Sequence, residues 1–270
     1  MTMTAPPPPG ARQTRPAFRR FWLVVGIVVA VATVAYGALL VASLIARGER
    51  TRGDRFAAEG ITRVDVRIGS GSIHVTGAET DTIRVRAEIT EGLFGMRYRA
   101  VHRGDRVEVR AECPGFLGVW CSADLAIEVP RGMALDLHSD NGSISLDGTA
   151  STSLVTSDNG DIRLTGVAGK LEVDTDNGTV IGERLDTRSF QAHSDNGDFR
   201  LGFATAPSRI DVTTDNGDVE LGLPEGAYAL DVKTDNGSVR TPIRTDPASR
   251  RSVRVHTDNG DVTVRYTGNR

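Results

Sequence analysis

The chain has 270 residues, a net charge of −3, two cysteines and 5% aromatic residues. Residues 1–130 hold 13 acids against 17 bases and residues 131–270 hold 22 against 15, so neither half is basic enough to read as a nucleic-acid binder. So few rings leave little material for the stacking platforms common on sugar-binding and single-strand-binding surfaces.

The chain opens with a Pro-rich basic stub, residues 1–20, whose Arg12, Arg15, Arg19 and Arg20 suit the cytoplasmic side of an anionic bilayer. An uncharged run follows over residues 21–46. At about 1.5 Å per residue it can cross a hydrocarbon core of about 30 Å as one transmembrane helix. The alternative is a cleaved signal peptide, but the apolar run is about twice the length of an ordinary h-region. No small-x-small cleavage site follows it convincingly, so a retained anchor is expected, with Trp22 at an interface. Five arginines, Arg47, Arg50, Arg52, Arg55 and Arg63, follow the run, so the positive-inside count is close to a tie.

Residues 47–60 read as a flexible polar linker and residues 61–130 as an irregular β segment that caps what comes after. Strands are expected over 82–90, 97–103, 106–112 and 123–129. The stretch from Val64 to Val75 alternates apolar and polar residues around Gly69-Ser70-Gly71 and reads as a divergent first coil. Cys113 and Cys121, separated by seven residues, read as a local disulfide, which persists only in an oxidising compartment. The alternative is two buried thiols; a zinc site would need more ligands than two. The disulfide tips the topology: N-terminus cytoplasmic, C-terminal domain extracytoplasmic, one span in the cell membrane.

From residue 131 to 270 the tripeptide Asp-Asn-Gly recurs seven times, with spacings of 18, 18, 19, 20, 20 and 23 residues. Its turn pairs are Asn141-Gly142, Asn159-Gly160, Asn177-Gly178, Asn196-Gly197, Asn216-Gly217, Asn236-Gly237 and Asn259-Gly260. Ser or Thr always precedes the Asp. Three residues before it stand Leu137, Val155, Val173, Ala192, Val212, Val232 and Val255, and apolar alternation resumes after the turn, as in Ile144/Leu146 and Val219/Leu221. The predicted fold is therefore all-β: a parallel β-solenoid (β-helix) of about eight 18–23-residue coils, preceded by one transmembrane α-helix. The Asn-Gly pairs are expected to supply positive φ at one corner, with hydroxyls and amides lining its inside and the Asp facing water. Eight coils at about 4.8 Å give a rod of roughly 40 Å. Arg265 and Arg270 should discourage end-to-end pairing of an exposed last coil.

Several copies carry a second acid three residues after the first, at Asp161, Asp198, Asp218 and Asp261. Two carboxylate columns could take calcium, with Asp158, Asp161, Asp195, Asp198, Asp215 and Asp218 as the candidate ligands. Calcium rolls, however, use a nine-residue pattern with more glycine, and the blander expectation is that each Asp caps its own turn. His138, His193 and His256 share one column, in the first, fourth and seventh copies, with about 14 Å between successive members. That is too far for a shared metal or an acid–base pair. No phosphate loop, nucleophile elbow or other catalytic pattern occurs, so a non-catalytic module without a required cofactor is expected. The alternatives are a carbohydrate-active β-helix enzyme and a calcium-stabilised spacer.

The basic stub, single span, Cys-containing β segment and repeated Thr/Ser-Asp-Asn-Gly-Asp/Ser-Val turns together resemble the bacterial "putative adhesin" β-strand-repeat family, a membrane-anchored domain of unknown function. The likeness covers roughly residues 56–270. It implies an all-β right-handed solenoid outside the cytoplasmic membrane, linked to adhesion or envelope stress, with no catalytic residues to carry over; the partner expected for the module is an unidentified envelope protein or polymer.

Overall fold

The computed structural model describes residues 16–45, 48–92, 95–113 and 121–268. One α-helix, Pro16–Ile45, is followed by strands alone. Its segment Phe21–Ala42 is the one helix among the described residues long and apolar enough to cross a membrane, and none of it is buried against the rest of the chain.

The strands form two faces of parallel β-structure. Each repeat sends one strand into the first face before its Asp-Asn-Gly corner and one into the second face after it: Ala134–Asn141 then Ile144–Asp147, Ser153–Asn159 then Ile162–Thr165. Neighbouring copies pair in parallel and in register, so that Leu137, Val155 and Val173 stand in one row. The apolar residues alternate with period two, and every coil turns the same parity inward. Val155, Val173, Val212, Ile144, Ile162, Leu164 and Leu221 are buried in a single continuous core. This β-solenoid-like stacking needs each coil to find a neighbour, because a lone coil cannot bury its row.

Stacking order departs from chain order at both ends. The coil built from Ser252–Asn259 and Val262–Tyr266 lies between the coil of Arg209–Asn216 and Val219–Leu223 on one side and that of Ala229–Asn236 and Val239–Arg240 on the other. The exposed outermost layer is therefore the Asp235 copy, and not the last copy in sequence as expected. Its Val232 and Leu230 are only half-buried, and Val239 is exposed. At the other end, the coil of Arg63–Ser70 and Ile73–Ala78 is likewise internal. Arg106–Glu112 and Ser122–Pro130 pair in parallel outside it. Two antiparallel additions complete this end: Arg97–Arg103 on the first face, and Thr82–Glu91 followed by Gly48–Ala57 on the second.

Gly48–Ala57 corrects the expectation of a flexible linker over 47–60. All ten of its residues pair with Thr82–Glu91. It lacks apolar alternation because no coil lies beyond it, so one edge and much of its inner side meet solvent and polar residues serve there.

Candidate functional site

The corner is where unusual residues converge in each of the seven Asp-Asn-Gly copies. Each Asn is the last residue of its strand and keeps an extended backbone; Arg184 is the only described non-glycine residue with positive φ. The expectation that Asn tolerates a left-handed turn here is thus overturned, and its side chain explains its presence instead. Asn159, Asn177, Asn196, Asn216, Asn259 and Asn236 each donate from Nδ2 to the Oδ1 of the Asn in the coil before, at 3.0–3.4 Å. The ladder follows stacking order, and at its start Asn141 donates to the Gly69 carbonyl. These amides are exposed, so the expectation that they line the inside is also corrected: only the hydroxyls do.

Glycine is required by proximity. A Cβ on Gly160, Gly178, Gly197, Gly217, Gly260 or Gly237 would overlap the carbonyl oxygen of the glycine in the adjacent coil. Gly217 adds a φ of +155°, which side chains rarely adopt. Inside the corner, Ser157, Thr214, Thr257 and Thr234 donate to those same glycine carbonyls at 2.9–3.4 Å. Ser139, Thr175 and Ser194 are as buried as Ser157, Thr214 and Thr257, and their hydroxyl oxygens have no hydrogen-bond partner among the described residues.

The second acid is the residue whose role the sequence concealed. Asp161 accepts a hydrogen bond from the Thr179 N–H, Asp198 from Asp218, Asp218 from Asp261, and Asp261 from Ser238, at 2.8–3.0 Å. Each carboxylate thus caps a backbone donor of the next coil. Hydrogen bonds from the Ser238 backbone N–H and side chain hold the Asp261 carboxyl below the ordinary aspartate value. The Asp of the tripeptide behaves differently. Asp140, Asp195 and Asp258 pair with His138, His193 and His256 at 2.9, 3.4 and 3.2 Å, two residues earlier on the same strand face. Because the copies stack out of order, His193 and His256 are two coils apart rather than the three expected, with Thr213 between them.

Among the described residues, no group of three or more His, Cys, Asp or Glu side chains converges to hold a metal. The six candidate calcium ligands lie in three separate coils, with Asp161, Asp198 and Asp218 already accepting backbone N–H groups. Cys113 and Cys121 stand at disulfide distance, with Sγ atoms 2.17 Å and Cα atoms 6.0 Å apart. They span the corner between Arg106–Glu112 and Ser122–Pro130, the place an Asp-Asn-Gly turn would occupy. There Asp124 accepts from the Ser72 N–H at 3.0 Å, repeating the capping seen at Asp161.

A family model described as Toastrack DUF4097 matches residues 120–265, more than half of the chain and all seven corners. The chain belongs to the Toastrack family. The Toastrack match shows the adhesin-type family of unknown function that the repeats resemble, with its β-solenoid-like, all-β fold. No curated protein matches the sequence. Among solved structures, this Toastrack chain is similar to a "putative cell adhesion protein" from Clostridium sporogenes at 10% identity, covering 82% of this chain and 100% of that one, with a TM-score of 0.34. It is also similar to a "putative adhesin" from Bacteroides fragilis at 13% identity, covering 81% and 97%, with a TM-score of 0.39.

Proposed function

We propose that the chain is a non-catalytic, adhesin-like binding or structural module of the cell envelope, carried on one membrane span. In this reading residues 1–20 are a cytoplasmic stub, 21–46 the span, 61–130 a capping β segment and 131–270 a parallel β-solenoid, with residues 61–270 outside the membrane. One observation carries it: the Asn amides and second-acid carboxylates that sequence alone offers for chemistry are engaged in holding coils together. The Asn amides run in a ladder and the second-acid carboxylates cap backbone donors. What is left for a partner is the long, stiff outer faces, on which polar side chains alternate with the buried row.

The compartment is supported by the Cys113–Cys121 pair, since a disulfide persists in an oxidising environment. Protease treatment of intact cells carrying an epitope tag after residue 270 tests it. Digestion without lysis is expected, and protection until lysis overturns the extracytoplasmic reading. For the binding role, outward substitutions on one face should abolish capture of an envelope partner without lowering the melting temperature. Release of fragments from a wall or capsule polymer by the purified chain would refute the non-catalytic reading. Asp158, Asp161, Asp195, Asp198, Asp215 and Asp218 serve the corner without a cation in this proposal, so calcium and chelator should give the same melting temperature.

A further inference from the structure

The two ends of the strand stack differ in charge. At the far end the outermost strands are balanced, with Asp231 and Asp235 against Lys233 and Arg240, and Asp231 is paired with Lys233 at 3.2 Å. At the near end the outermost strands are Gly48–Ala57 and Arg97–Arg103. They carry Arg50, Arg52, Arg55, Arg97, Arg99 and Arg103 against two acids, Glu49 and Asp54.

Structural pairing does not consume this excess. Arg50 pairs with Glu91 at 2.7 Å and Arg103 with Glu108 at 3.6 Å, while Asp54 accepts from the Tyr98 hydroxyl at 2.8 Å. Arg52, Arg55, Arg97 and Arg99 are exposed and have no ion-pair partner among the described residues. Glu112 stands opposite Arg97 in register, and Arg99 opposite Arg110. Strand parity spreads the four around the end of the stack. Arg52 lies opposite buried Ala87, at the mouth between the two faces, whereas Arg55, Arg97 and Arg99 project outward.

Chain connectivity limits where this end can be. The apolar helix ends at Ile45 and the outermost strand begins at Gly48, so three Cα steps, at most about 11 Å, separate them. The strand is hydrogen-bonded over its whole length and cannot peel away as a free tether. Its start is thus held within roughly one Debye length of the end of the span, where a surface potential is still felt. Like charges gathered on the outermost strands of the anchored end fit one partner, a surface of anionic lipid headgroups.

We propose that the arginine-rich near end of the stack, through Arg52, Arg55, Arg97 and Arg99, seats on anionic headgroups of the bilayer in which the chain is anchored. This rests on the membrane-anchored reading above. The test uses the full chain in nanodiscs of phosphatidylcholine alone or mixed with phosphatidylglycerol, with backbone hydrogen exchange of residues 97–103 as the readout. Exchange there should be roughly ten-fold slower in the anionic discs. The difference should vanish in high salt and in the R52Q/R55Q/R97Q/R99Q variant, and return when all four are lysine. Equal exchange in both discs, or a difference that survives the four glutamines, overturns the seat. Inorganic phosphate that reproduces the slowing in zwitterionic discs overturns a lipid surface in favour of a free-anion site. A chain that does not enter discs at all refutes the anchored reading itself, and the seat with it.

Discussion

The Asp215 and Asp235 copies have nearly the same sequence, Val-Thr-Thr-Asp-Asn-Gly-Asp-Val and Val-Lys-Thr-Asp-Asn-Gly-Ser-Val, and very different surroundings. Val212 and Val219 of the first are buried, between coils on both sides. Val232 of the second is half-buried and Val239 exposed, because only the Asp258 copy covers that layer. A repeat motif therefore fixes the shape of a coil and its register with a neighbour, while burial is set by place in the stack.

The harshest way to break the comparison is to delete residues 252–268. Loss of a chain terminus is ordinarily tolerated, but here it removes the layer on which the Asp235 copy rests. Hydrogen exchange over residues 229–240 should lose all protection, and the Asp215 copy should become the new half-exposed end. Retained protection over 229–240 would overturn the stacking order. Next comes a matched pair, Val212→Asp and Val232→Asp. The first buries a charge with no partner and should cost more than about 4 kcal/mol, whereas the second, already half in water, should cost about 1 kcal/mol. Equal denaturation midpoints would erase the distinction between the copies.

Gly217→Val places a Cβ against the Gly197 carbonyl at a φ of +155°, and should cost on the order of 3 kcal/mol in urea unfolding. Gly237→Val meets the Gly260 carbonyl in an outer layer that can shift, so a smaller loss is expected. Asn216→Ala breaks amide bonds to Asn196, Asn259 and the Asp195 carbonyl, with neighbours on both sides, while Asn236→Ala breaks those to Asn259 and the Asp258 carbonyl, on one side alone. The first should cost about 1 kcal/mol and the second about half that.

Acid provides the gentlest probe. The Asp261 pKa is depressed in the folded chain, so the stability it contributes is complete above the unfolded value near 3.9 and is lost as the pH falls through the lower folded value. Exchange at the Ser238 amide should accelerate in that window, relative to its intrinsic rate. Asp261→Asn should remove this pH dependence.

The corner, the inward row and the one-face alternation were readable because strand period and turn chemistry are local signals. Stacking order was not, since every copy offers the same register to every other and nothing local says which will be adjacent. The one trace is the 23-residue interval from Asp235 to Asp258, whose additional residues carry the chain across the outer layer and back beneath it. Gly48–Ala57 escaped notice because an end strand has no inward row to alternate. The capping role of Asp161, Asp198 and Asp218 was hidden for another reason: the donor each serves belongs to another coil, 18 to 43 residues further along the chain.

The inverted order of the outermost layers has a consequence for synthesis. Chains leave the ribosome from the N-terminus, and most coils of this stack can dock on a predecessor already in place. The segment 229–240 cannot, because the strands that must lie beneath it, Ser252–Asn259 and Val262–Tyr266, have yet to be translated. It must wait in the open, with Leu230 and Val232 uncovered, until the later segment slides in against Arg209–Asn216. Closure of the stack is then a two-layer event, in which the later-made coil is locked in by the earlier one.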